Sequence, residues 1–128
     1  MAVLGVGTEI VECVRISRMI DTHGEQFLGR VYSVAEIDHC VQRVNATQHF
    51  AARWAAKEAA MKAMHCHNQG IRWNQIEVSI DPAQGPMLEL SASASDWAAH
   101  RGIAQLHLSL GSCRTHATAT VIAVDIDG

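Results

Sequence analysis

Residues 53–64 read Arg53-Trp54-Ala55-Ala56-Lys57-Glu58-Ala59-Ala60-Met61-Lys62-Ala63-Met64, and every choice in that run favours helix. It is rich in alanine and holds no glycine, proline or β-branched residue. At about 3.6 residues per turn, Arg53 and Lys57 stand one turn apart, as do Glu58 and Lys62. Trp54, Ala55, Met61 and the remaining alanines supply apolar surface for a core. One carboxylate among three cations on a stiff helix suits a metal ion beside a polyphosphate. The same spacing also describes a surface helix stapled by its own ion pairs, each worth about 0.3–0.5 kcal/mol. Features outside the run must decide between the two.

A chain of 128 residues suits one domain over residues 1–128, large enough to bury about two-thirds of its unfolded surface. Its 48% hydrophobic and 18% charged residues are ordinary for a globular protein. No apolar run reaches the ~18 residues of a membrane span, and no basic segment precedes an apolar one at the N-terminus. The cytoplasm is therefore the expected compartment, with no membrane association. The net charge of −3 argues against a nucleic-acid binder that runs on bulk positive charge. Residues 1–64 carry as many Lys and Arg as Asp and Glu, so the deficit lies in the second half. Attraction to an acidic partner must be local to the first half. Cys13, Cys40, Cys66 and Cys113 lack Cys-x-x-Cys spacing and read as reduced thiols. His65-Cys66-His67 invites a zinc reading, but consecutive side chains diverge on a helix and no second pair at zinc spacing exists.

Along the chain, Ala2 to Ile10 reads as a buried strand. Gly5-x-Gly7 lacks the third glycine of a dinucleotide fingerprint and reads instead as a place of close backbone approach. Ile10 to His23 reads as a helix closed by Gly24, with Val11, Val14 and Ile10 as its buried stripe. Arg15 and Arg18 project from it together, Met19 beside them. Ser33-Val34-Ala35-Glu36 is a capping box. Asn45 or Thr47 opens the central helix, which breaks down near His67-Asn68-Gln69-Gly70. Ile76, Val78 and Ile80 then alternate with polar residues as a half-buried strand. Asp81 to Pro86 turns, and Met87 to Leu90 returns. Ser93 or Ser95 caps a short helix through Ala99. Leu106, Leu108 and Leu110 form a strand, and Thr115 to Ile126 a long β-branched one. The order predicts an α+β fold, a largely antiparallel sheet packed on a long central helix.

Gly5-Val6-Gly7-Thr8-Glu9, Ser33-Val34-Ala35-Glu36 and Arg53-Trp54-Ala55-Ala56-Lys57-Glu58-Ala59, taken together, resemble the holo-acyl-carrier-protein synthase family of phosphopantetheinyl transferases. The resemblance runs nearly end to end. It implies transfer of 4'-phosphopantetheine from coenzyme A to a serine of an acyl carrier protein, with release of adenosine 3',5'-bisphosphate. It implies Mg2+ at Glu9 and Glu58, and a base role for Glu58, directly or through a metal-bound water. Lys62 would reach the phosphates, with Lys57 and Arg53 as further phosphate contacts. Arg15, with Arg18 and Met19 nearby, would meet the acidic helix of the carrier. Members of this size usually form trimers with the cofactor cleft between subunits, which implies that Arg53 or the histidines after Met64 face a neighbouring subunit.

Three positions depart from the family pattern. The usual first-motif aspartate is Glu9, one methylene longer. The usual Gly-Thr-Gly after the central helix is replaced by Met64-His65-Cys66-His67, which removes a flexible backbone. The Ser-His pair before the last strand is Gly111-Ser112, and His107 falls on a strand face where it reads as packed or exposed. These departures motivate a second reading, a homologue that binds carrier protein or nucleotide without turnover.

Overall fold

The structure is a computed structural model and describes residues 1–125. The central helix, α4, spans Ala46–Met64 and is buried on nearly every side, with Ala51, Ala55, Ala56, Ala59 and Ala60 almost wholly shielded. The reading of this stretch as a surface helix is thereby overturned. Small side chains allow it: alanine keeps helix propensity while letting neighbours come close.

The first strand, β1 (Val3–Glu12), lies directly on α4. A Cβ added at Gly7 would stand 1.9 Å from the Ala59 carbonyl oxygen, and one at Gly5 1.9 Å from that of Ala63. Only hydrogen fits at either position, so both glycines serve close approach, as the sequence reading expects. Two further strands complete an antiparallel sheet in the order β1-β5-β4, with β4 spanning Ile103–Ser112 and β5 His116–Asp125. Ala117, Ala119, Val121 and Ala123 of β5 point into the core. A separate antiparallel hairpin, β2 (Ile76–Asp81) and β3 (Gly85–Leu90), stands beside it.

The remaining helices are α1 (Cys13–His23), α2 (Glu25–Val31), α3 (Val34–Val41) and α5 (Ala92–His100). Ser33 and Glu36 form the expected capping box. Other boundaries shift. Residues Ile10 to Glu12 stay in the strand, because Val11 and Glu12 pair with Ala117 and His116 across β5. The buried stripe of α1 is Cys13 and Ile16, whereas Val14 and Ile10 are exposed. Helix α2 was unforeseen. Its Phe27 and Val31, four apart, bury one face of a piece too short to show a period. Asn45 sits at the N-cap of α4 without a side-chain cap; its carbonyl accepts from Gln48 N and His49 N instead. Ser91, not Ser93 or Ser95, precedes α5, and the Ser93 hydroxyl donates to Gln75. Ile126, expected at the end of β5, lies outside the described residues.

Candidate active site

Alternation along β1 turns Gly5, Gly7, Glu9 and Val11 toward α4. Two strand residues match about one helical turn, so Glu9 comes level with the turn of α4 that carries Glu58. Glu9 thus lies mid-strand, three residues before the strand ends, with its side chain 18% exposed. Its Oε1 accepts from Lys62 Nζ at 2.5 Å, and the same nitrogen donates to the Thr8 carbonyl at 2.9 Å. Lys62 therefore pairs with Glu9 across the strand–helix contact, not with Glu58 one turn back on its own helix. Glu58 in turn accepts a 2.8 Å hydrogen bond at Oε2 from Trp73 Nε1, and His67 Nε2 lies 3.6 Å from the same oxygen. Among the described residues Oε1 of Glu58 has no protein partner.

Glu58 opens into a cleft of about 380 Å3 with Arg15, Met19, Phe27, Trp54 and Trp73 on its walls. The Arg15 guanidinium lies over the Trp54 ring, 5.2 Å from its centroid. Arg15 and Met19 thus share one cleft with Glu58. Arg18 is exposed on the same helix but does not line it.

Lys57 is placed otherwise than the sequence suggests. Its Nζ is fully buried, 2.8 Å from Glu36 Oε1, and also donates to the carbonyls of Trp73 and Ile76. All three ammonium donors are used, so Lys57 has none left for a ligand phosphate. Burial lowers its pKa, and the Glu36 carboxylate beside it counters that shift. Glu36 also accepts from Ser33 N and Val78 N, which ties α3, α4 and β2 at one point.

Arg53 is 3% exposed, and its Nε is buried with no hydrogen-bond partner. It lines a second cleft of about 380 Å3 with His39, Arg43, His49, Gly111 and Ser112. Burial, then the guanidiniums of Arg53 and Arg43, push both histidines below their usual range. An orphaned guanidinium nitrogen among basic groups is an environment that a phosphate would neutralise. Ser112, where the family pattern has histidine, accepts from Gln48 Nε2 at 3.0 Å. Two histidines from α3 and α4 occupy its surroundings.

The loop after α4 takes a glycine-like course at two non-glycine positions, His65 with φ 55° and Asn68 with φ 63°, before Gly70 at φ 77°. Trp97 Nε1 bonds the Met64 carbonyl at 2.8 Å and closes the helix end. His107 is exposed on β4. No three His, Cys, Asp or Glu side chains converge among the described residues, which leaves no zinc cage at His65-Cys66-His67. The donor set at Glu9 and Glu58 is oxygen only and sparse. That fits Mg2+, which takes one or two carboxylates and completes its shell with water and substrate phosphates. Sequence reasoning missed Trp73, His39 and His49 and gave Glu36 only a capping role, because no local pattern joins these residues to the lysines and Arg53 of α4.

The family model for the 4'-phosphopantetheinyl transferase superfamily matches residues 5–121. A holo-[acyl-carrier-protein] synthase of Rhodopirellula baltica is 54% identical over 125 residues, 98% of this chain and 100% of its own length. The solved holo-[acyl-carrier-protein] synthase of Neisseria meningitidis superposes with a TM-score of 0.84 at 31% identity, covering 97% of this chain and 100% of that one. An ACPS–CoA complex from Chronobacterium ammoniagenes superposes with a TM-score of 0.84 at 26% identity, over 99% and 100% of the two chains. Nothing in these likenesses supports the reading of a homologue without turnover.

Proposed function

The chain belongs to the 4'-phosphopantetheinyl transferase superfamily and is a holo-[acyl-carrier-protein] synthase-type enzyme, and we propose that it works with Mg2+ held by Glu9 and Glu58. It transfers phosphopantetheine from coenzyme A to an acyl carrier protein. In the proposed reaction the carrier serine oxygen forms a bond to the β-phosphorus of coenzyme A. The diphosphate bond breaks, and adenosine 3',5'-bisphosphate leaves.

The observation that carries this reading is the Lys62 bridge, which ties the strand bearing Glu9 to the helix bearing Glu58. When bound, Mg2+ supplies positive charge to the diphosphate as negative charge moves onto the leaving oxygen. Glu58 takes the serine proton, directly or through a water. Lys62 turns its ammonium to the phosphates, where a fixed cation is worth most as charge develops. Arg53, with Arg43, His39 and His49, holds a phosphate at the nucleotide end of coenzyme A. Arg15, Arg18 and Met19 receive the acidic helix of the carrier, and such rim charges mainly set association rate and partner choice.

Residues 1–128 form one such domain, and the enzyme works in the cytoplasm as a homotrimer with its cofactor cleft between subunits. What supports assembly is the sheet face turned away from α4, where Val6 and Ile10 are 55% and 63% exposed beside uncharged Thr8. A trimer would elute at three times 13.9 kDa in light-scattering chromatography.

The test incubates the protein with coenzyme A, Mg2+ and several apo acyl carrier proteins and reads carrier mass. The expected result is addition of phosphopantetheine, lost on chelation with EDTA and in Glu58→Gln. A folded protein that shifts no carrier, or a Glu58→Gln variant with undiminished transfer, would overturn the reading.

A further inference from the structure

We propose that Trp73 is a positioning residue that aims the Glu58 carboxylate through its indole N–H; this rests on the reading of Glu58 as metal ligand and base. A glutamate side chain has three rotatable bonds, and freezing it costs conformational entropy. Among the described residues nothing else donates a hydrogen bond to it. His67 stands 3.6 Å from Oε2, beyond hydrogen-bond reach. Trp73 Nε1 reaches that oxygen at 2.8 Å and leaves Oε1 as the free acceptor turned to ligands.

The tryptophan is itself held from behind. Its carbonyl accepts from Lys57 Nζ at 3.1 Å, and Lys57 is fixed by Glu36. Consecutive residues of α4 thus grip the two ends of Trp73, Lys57 its backbone and Glu58 its ring. The ring also stands between two clefts, one with Arg15, Met19 and Glu58 and a larger one, about 810 Å3, with Arg30, His67 and Arg72. An indole suits the task chemically. It donates without accepting, so it cannot compete for a cation, and it does not ionise with pH. Its hydrogen bond therefore tethers the carboxylate in every state of the reaction, as outer partners orient metal ligands in general.

The experiment measures Mn2+ binding by electron paramagnetic resonance, with coenzyme A present, alongside kcat and KM for transfer with Mg2+. Trp73→Phe removes the donor and keeps most of the ring. Replacement of Trp73 by benzothienylalanine keeps the full bicyclic shape and removes only the N–H, so its folding is not at issue. Both should raise the Mn2+ dissociation constant and lower kcat by about tenfold each, with KM for the carrier unchanged within twofold. Trp97→Phe removes an equivalent indole bond away from Glu58 and should shift thermal stability alone. If the benzothienylalanine variant binds Mn2+ and turns over like the parent, Trp73 does not position Glu58. If Glu58→Gln itself leaves Mn2+ affinity unchanged, the metal reading fails first, and Trp73 loses its role with it.

Discussion

Lys57 Nζ and Glu36 Oε1 lie 2.8 Å apart with neither side chain open to solvent, although the residue after Lys57 on α4, Glu58, lines an open cleft. The two lysines of the motif thereby divide the work. Lys57 holds the frame, and Lys62, 46% exposed on its side chain, keeps one donor open to solvent beyond its bonds to Glu9 and Thr8.

Lys57→Met leaves the Glu36 carboxylate buried without its counter-ion. Loss of one partner of such a pair costs about 3–5 kcal/mol. Urea unfolding should show that loss, and Lys57→Met with Glu36→Gln together should cost less than the sum of the two singles.

Lys62→Met should do the reverse. An exposed ion pair contributes about 0–1 kcal/mol, so the urea midpoint stays nearly unchanged. Transfer should slow by about a hundredfold in kcat, the usual effect of removing one charge-stabilising donor. Steady-state kinetics beside an unfolding curve separates the two lysines.

Gly7→Ala puts a methyl group into the Ala59 backbone carbonyl, where no side chain can yield. Overpacking of this kind costs about 3 kcal/mol or more. Circular dichroism should find the variant unfolded or melting well below the parent. Gly24→Ala meets no neighbour, but its φ of 53° is one that side chains rarely adopt, and that strain costs about 1–3 kcal/mol.

Arg15→Glu reverses an exposed charge and removes its cover over the Trp54 ring. KM for the carrier should rise by about tenfold, with kcat held, and the dependence of kcat/KM on salt should weaken. A matching fall in kcat would place Arg15 in the chemistry instead.

Alkaline pH should loosen the fold through two buried thiols. Burial pushes Cys40 and Cys66 up to about 11 from the ordinary 9.0. Between those values the unfolded chain loses protons that the folded chain retains. The stabilisation is thus full below pH 9 and declines as pH rises through about 11. Urea midpoints from pH 8 to 11 should fall less steeply in Cys40→Ala and in Cys66→Ala than in the parent; the shared titration of Lys57 cancels in that comparison.

Local rules made part of this molecule legible from sequence. The alanine run gave α4, the Ser33–Glu36 box gave the start of α3, and turn chemistry with alternation gave the β2–β3 hairpin. The limit of β1 was harder. Val11 and Val14 fit helical spacing, yet pairing with β5, more than a hundred residues away, holds Val11 in the strand. At the site, Glu9, Glu58 and Lys62 were visible as chemistry placed on known elements. Lys57 misled because an ammonium on a charged helix looks solvated until a carboxylate 21 residues earlier claims it. Trp73 carries no spacing signal, since its partner Glu58 is set by packing of a separate segment, and the meeting of His39 with His49 depends on how α3 packs on α4.

Because bare main chain touches main chain where Gly5 and Gly7 cross α4, no deformable side-chain layer separates Glu9's strand from Glu58's helix. Substitutions drifting through the apolar interior elsewhere cannot widen or narrow that gap. The spacing of strand and helix is inherited from atomic radii, and so it tolerates a protein surface that changes freely around it.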